Sequence, residues 1–146
     1  TRQSENNMLN IKGLDHLVLR TSQVEQMCLF YCGVLGCTIE RETPPDIGLI
    51  QLRAGNALID LVSVDSKLGA MGGGPPTNSE NNLDHFCLQL MQTSEQQIRS
   101  HLTAHGIKVS EFAERYGAQG YGLSVYIQDP DGNTVELRSE TISGSS

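Results

Sequence analysis

The sequence predicts an α+β protein made of two βαβββ modules, whose curled mixed sheets surround a shared cavity. Three observations predict it. The strand opening Leu14-Asp15-His16-Leu17-Val18-Leu19 returns half a chain later as Leu83-Asp84-His85-Phe86-Cys87-Leu88. Each copy is followed by a serine, Ser22 or Ser94, with Glu25 or Gln97 three residues on, which is the spacing of a capping box. Each half then ends on Gly55-Asn56 or Gly132-Asn133, leading an apolar strand with one carboxylate, Asp60 or Glu136.

Taken in order, residues 1–10 are polar and aperiodic and read as a tail. The first module spans 11–64. Its opening strand, 11–20, alternates apolar and polar residues. A helix follows Ser22, because Val24, Met27, Cys28, Tyr31, Val34 and Leu35 recur at three- and four-residue spacing with Phe30 beside them. Gly36 ends it as a glycine after a helical pattern. Strands are expected at 37–40, 47–53 and 57–64, broken by Pro44-Pro45-Asp46 and by the Gly55-Asn56 turn. The linker, 65–82, holds Gly72-Gly73-Gly74-Pro75-Pro76, a run that can be neither helix nor central strand. It divides the modules, as a plain connector or as a lid over the site.

The second module spans 83–139. After its opening strand comes a helix at 94–105 carrying Ile98, Leu102 and Ala104, closed by Gly106. His101 and His105 stand four apart on that helix but have no nearby acid or cysteine to complete a metal site, so they read as its solvated side. A strand is expected at 107–110, then a Gly-rich loop at 115–122 with two tyrosines, then a cleanly alternating strand at 123–128. Asp129-Pro130-Asp131-Gly132 is a turn, since Pro fixes φ, Gly permits positive φ and Asp bonds to backbone. The last strand is 134–139, and 140–146 is a polar tail.

Bulk properties narrow the function. The 146 residues suffice for one domain or one pair of packed half-domains. Ten Lys plus Arg against seventeen Asp plus Glu give a net charge of −7 with no basic cluster, which argues against nucleic acid as a partner. No apolar run approaches the roughly 18 residues of a membrane helix, so no membrane association is expected. The cysteines at 28, 32, 37 and 87 lack a second CxxC pair for a structural zinc. They read as reduced thiols, and with no leader pattern visible the expected location is cytoplasmic.

Strand alternation places the chemistry. Leu17, Leu19, Phe86, Leu88, Ile59, Leu61, Val135 and Leu137 belong on the helix-facing side. His16, Asp60, His85 and Glu136 therefore share the opposite side. Imidazole plus carboxylate suits one divalent ion of Zn, Ni, Co, Mn or Fe, with positions left open for water or substrate. A metal would also offset the cost of burying the carboxylates. Arg20, Gln51, Arg53, Gln89, Ser124 and Tyr126 fall on the same side and are the candidate substrate contacts.

Several of these stretches resemble a known family. Leu14-Asp15-His16, Leu29-Phe30-Tyr31 with Val34-Leu35-Gly36, Leu83-Asp84-His85, and 129–137 from the Asp-Pro-Asp-Gly turn through Glu136 are similar to signatures of the vicinal oxygen chelate superfamily. This is the glyoxalase, bleomycin-resistance and extradiol-dioxygenase group. The likeness covers about 11–139 and specifies a fold more than a reaction. It implies metal ligands at His16, Asp60, His85 and Glu136. Asp60 departs from the glutamate usual in glyoxalase-like members; it could bind directly, bind through water, or leave a two-His-one-Glu set.

The resemblance further implies a homodimer, sometimes with modules of two subunits sharing one site, acting on a small molecule. The first functional expectation is a metal-dependent lyase or isomerase resembling glyoxalase I. In it the ion would hold vicinal oxygens of the substrate and Glu136 would shuttle the proton. The alternatives are an extradiol-type Fe(II) dioxygenase using His16, His85 and Glu136, and a metal-free binding or resistance protein for an apolar drug.

Overall fold

The chain folds into two four-stranded mixed sheets in a computed structural model that describes residues 9–77, 79 and 81–140. Residues 1–8 and 141–146 of the expected tails lie outside the described residues. The first sheet uses β1 (His16–Thr21), β2 (Thr38–Glu42), β3 (Leu49–Ala54) and β4 (Ala57–Ser63) in the order β1-β4-β3-β2. The second uses β5 (Phe86–Gln89), β6 (Ala113–Gly117), β7 (Gly120–Gln128) and β8 (Thr134–Arg138) in the order β5-β8-β7-β6. Only β1 with β4 and β5 with β8 run parallel. In each module a helix-containing crossover starts the path from the first strand to its parallel partner, as parallel pairing requires. The repeat in sequence is thus a repeat in topology, and the sheets are open rather than closed.

Period-two alternation sorts each strand. Leu19, Leu52, Ile59 and Leu61 bury one face of the first sheet, and Val125, Ile127, Val135 and Leu137 bury one face of the second. Met27, Phe30 and Tyr31 from the first helix, and Ile98 and Leu102 from the second, join both faces into a single core. Full burial of one such leucine, as at Leu61, contributes about 1.5–3 kcal/mol. The two sheets share this core, so the opposite face of each sheet turns away from it.

The helices match the expectation in part. Helix α3 (Glu95–Ala104) has the full capping box: Ser94 Oγ accepts from Gln97 N–H at 3.1 Å and Gln97 Oε1 accepts from Ser94 N–H at 3.0 Å. Ser94→Ala is expected to lower stability by about 1 kcal/mol in a urea melt. Gly36 and Gly106 both take positive φ after a helix, 84° and 71°, where a Cβ would be strained.

Ser22 does not cap the first helix. Helix α1 (Val24–Cys28) has Gln23 as its N-cap residue with no side-chain cap, and Thr21 Oγ1 instead accepts from Gln23 N–H at 2.9 Å. Past Cys28 the helix widens into a π turn over Leu29–Val34, marked by Leu35 N–H reaching Phe30 C=O, five residues back, at 3.1 Å. The wider turn seats adjacent Phe30 and Tyr31 in the core together.

Strand positions shift most in the second module. The expected strand at 107–110 is absent: Ile107 N–H turns back to Leu102 C=O at 2.9 Å, and only Ser110 reaches β7, at Tyr126 C=O. The true β6 falls within and before the expected Gly-rich loop. It pairs with β7 through Tyr116↔Tyr121 and Gly117↔Gly120, around a two-residue turn at Ala118-Gln119. In the linker a short helix, α2 (Lys67–Ala70), precedes the Gly/Pro run. No helix among the described residues is long and apolar enough to cross a membrane.

Candidate functional site

The two parallel strand pairs build the site. In the first module β1 lies against β4 with Val18 opposite Asp60, and β3 puts Gln51 opposite Asp60 on the other side. Asp60 is only 3% exposed. Its Oδ2 accepts from Gln51 Nε2 at 3.1 Å, and Gln51 Oε1 accepts from Arg41 at 3.1 Å. Asp60 Oδ1 is buried without a hydrogen-bond partner. An ionised oxygen left so is costly, and a cation would offset that cost.

His16 stands half-exposed at the start of β1. The imidazole makes a 2.7 Å hydrogen bond through Nδ1 to Asp15 Oδ1. A carboxylate can only accept, so the ring donates from Nδ1 and its neutral form carries its lone pair on Nε2. The pKa of His16 is raised chiefly by that bond to Asp15, with the charges of Asp60 and Asp15 adding to it against some desolvation.

The second module repeats the device. His85 Nδ1 donates to Asp84 Oδ2 at 2.7 Å, and its Nε2 lies 3.2 Å from Glu136 Oε1. Glu136 is 6% exposed. A neutral Nε2 and a carboxylate oxygen are both lone-pair donors, so a proton or cation between them reconciles the contact. Tyr126 packs edge-on to His85, with ring centroids 5.4 Å apart, and Arg115 lies over the Tyr126 ring at 4.4 Å.

The other candidate residues divide by what they touch. Gln51 holds Asp60, and Tyr126 packs against His85. Arg20 is bound to the carbonyls of Gly69, Gly73 and Gly74, clamping the linker over the end of β1. Arg53 pairs with Glu40 at 3.2 Å. Ser124 is fully buried beneath Arg115, whose Nη1 donates to its hydroxyl at 2.9 Å. Gln89 Oε1 accepts from Arg138 Nε at 3.1 Å.

Three residues of the candidate site escaped the sequence reading: Asp15, Asp84 and Arg138. Asp15 and Asp84 orient the imidazoles, and their repetition before each histidine was the available signal. Arg138, two residues past Glu136 on the same face, had no counterpart in the repeat: the matching place in β4 is Val62. A cleft of about 320 Å³ opens on this face, lined by His85, Cys87, Gln89, Tyr116, Glu136 and Arg138 among others. The packing around the Cys87 thiol, and the charge of Glu136, push its pKa up to about 11, against the opposing pull of Arg138.

Within one chain the four expected ligands form two pairs, not one cluster. Among the described residues no group of three or more His, Cys, Asp or Glu is placed to hold a metal. The donor types are those a divalent ion takes, and they stand in two halves: two imidazoles oriented by carboxylates, one orphaned Asp60 oxygen, and one Glu136 oxygen facing a ring nitrogen.

Paired βαβββ modules, each with a His and an acid on the face turned from the core, define a glyoxalase-type two-module protein. The chain belongs to the Glyoxalase/Bleomycin resistance protein/Dioxygenase superfamily, whose profile matches residues 13–137. It is 30% identical to the glyoxalase domain-containing protein RDO1 of Mycosarcoma maydis over 94% of this chain and 74% of that protein. The integron cassette protein VCH_CASS1 of V. cholerae superposes with a TM-score of 0.69 at 28% identity, covering 92% of this chain and 99% of that one. A lactoylglutathione lyase from Agrobacterium tumefaciens shares the fold, with a TM-score of 0.65 at 22% identity over 92% and 98% of the two chains.

Proposed function

We propose that this protein is a divalent-metal-dependent lyase or isomerase resembling glyoxalase I, acting on a small substrate with vicinal oxygens. The observation that carries this reading is the pair of matched half-sites. Each module presents a histidine braced through Nδ1 and a buried carboxylate, and neither half alone offers three ligands. A second copy related by a twofold axis would set His16 and Asp60 of one chain against His85 and Glu136 of the other, and the symmetry would make two such sites. The unpaired cysteines suit such a dimer in the cytoplasm.

The ion, when bound, would polarise the paired oxygens as a Lewis acid. The chain's own residues would do the rest. Asp15 and Asp84 keep each Nε2 aimed at the site, a brace of the kind that raises ligand basicity. Gln51 fixes Asp60 so that one oxygen remains open. Glu136, buried beside His85, would take and return the substrate proton.

Elemental analysis of protein purified without added metal, combined with sedimentation at micromolar concentration, tests the reading. A stoichiometric transition metal in a dimer is expected. A monomer that carries and binds no divalent ion would leave the metal-free binding protein as the better reading. Iron with oxygen uptake on a catechol would favour the dioxygenase.

A further inference from the structure

The arginines of this chain have different company. Arg53 and Arg99 pair with glutamates, Arg20 is bound through Nε and Nη2 to the linker carbonyls of Gly69, Gly73 and Gly74, and Arg115 lies against Ser124 and the Tyr126 ring. Arg138 is 5% exposed and takes part in no ion pair among the described residues. Its Nε donates to Gln89 Oε1 at 3.1 Å, Nη1 to Arg115 C=O at 3.4 Å and Nη2 to Gly120 C=O at 2.7 Å. A guanidinium has five N–H groups, so two have no partner among the described residues. A buried cation held only by neutral dipoles is costly to keep.

The surroundings keep it open. A Cβ at Gly117 would run into Nη1, and one at Gly122 would crowd Nη2, so the β6–β7 hairpin leaves room for the guanidinium. The group lines the same cleft of about 320 Å³ as His85 and Glu136, with Tyr116 forming part of the wall. That space suits a small molecule. Glu136 forms no ion pair with it, and its Oε1 lies 3.2 Å from His85 Nε2.

We propose that Arg138 is an anion anchor: it receives the carboxylate of a small organic acid, placing the rest of that molecule beside His85 and Glu136. This deepens the function proposed above by naming a substrate class, and it rests on that face being the active one. The count leaves one N–H on each of Nη1 and Nη2, and a guanidinium that offers two N–H groups suits a carboxylate. The hairpin holding Tyr116 stands against the substituent.

The test uses full-length protein stripped of metal on a chelating resin, so its outcome is separate from that of metal binding. Acetate, benzoate and phenylphosphonate, with the neutral benzamide as control, are titrated by calorimetry and by NMR of the arginine Nε–Hε signals. Benzoate is expected to bind saturably and move the Arg138 signal, with benzamide at least about ten-fold weaker. R138Q is expected to lose that selectivity, and R138K to retain part of it, since charge stays while the fork is lost. A purely structural Arg138, holding the hairpin to β5 and β8, would give no preference for acid over amide. Equal binding of benzoate and benzamide, no saturable binding of any of the three acids, or unchanged selectivity in R138Q overturns the proposal. If R138Q does not fold, the ratio in the wild-type protein decides alone.

Discussion

Replacing Glu136 with Ala is expected to lower divalent-metal affinity by more than about a hundred-fold, since even residues behind a ligand typically cost about 10–100-fold. Glu136 is nearly buried, and its Oε1 converges with His85 Nε2 at 3.2 Å. Removing it leaves half the second pair. His85→Ala should do the same from the other side. Asp60→Asn should cost less, about ten-fold, because Asp60 already gives one oxygen to Gln51 and keeps only Oδ1 open. Asp60→Glu adds the methylene common in the family and is expected to tighten binding. Calorimetry with zinc and nickel across the four variants reads this directly. A wild-type protein with no transition-metal affinity, or a His85→Ala protein that binds as tightly, would sink the site.

The duplicated Leu-Asp-His strand made the fold legible. Alternation alone put Leu17 and Leu19 opposite His16, and Ile59 and Leu61 opposite Asp60, and the sheets follow it. Periodicity is local, so it locates faces well. It failed at β6, where Arg115, Gly117 and the turn at Ala118-Gln119 hide a hairpin whose pairing energy comes from β7 rather than from its own composition. It failed also at the first helix, where the π turn depends on seating Phe30 and Tyr31 in a core shared with the other module. The His–acid pairs were readable, but the separation of the two pairs within one chain was not, because it depends on how the two sheets pack, which no spacing encodes. Arg138 was missed for a related reason. It breaks the repeat, and a reading built on the repeat weights what recurs.

Asp129→Ala is expected to destabilise the fold by about 2–4 kcal/mol, a large share of the roughly 5–15 kcal/mol that holds a domain together. The sequence identifies Asp129 only as the first residue of a turn. In the structure its Oδ1 accepts from Asp131 and Asn133 N–H, both at 2.9 Å, and its Oδ2 from Asn133 Nδ2 at 2.8 Å. The same Oδ2 also accepts from Tyr31 O–H at 2.7 Å, a residue of the first module that is fully buried. Alanine would strand that hydroxyl in the core, out of reach of water, while the N–H groups of the turn lie nearer the surface. Tyr31→Phe removes donor and stranded group together, so it should cost less, about 0.5–1.5 kcal/mol. The double variant should cost less than the sum of the two, the mark of one shared bond. The contact has a pH signature too. Burial, then the Asp129 charge, raises the Tyr31 phenol above its ordinary value, so the folded state favours the neutral form. That stability is fully present below about pH 10, the ordinary tyrosine range. It is lost as the pH rises beyond that range. Urea melts at pH 7 and pH 11 should therefore show a smaller alkaline loss for Tyr31→Phe than for wild type. An equal loss in both would mean that the phenol does not carry the alkaline sensitivity.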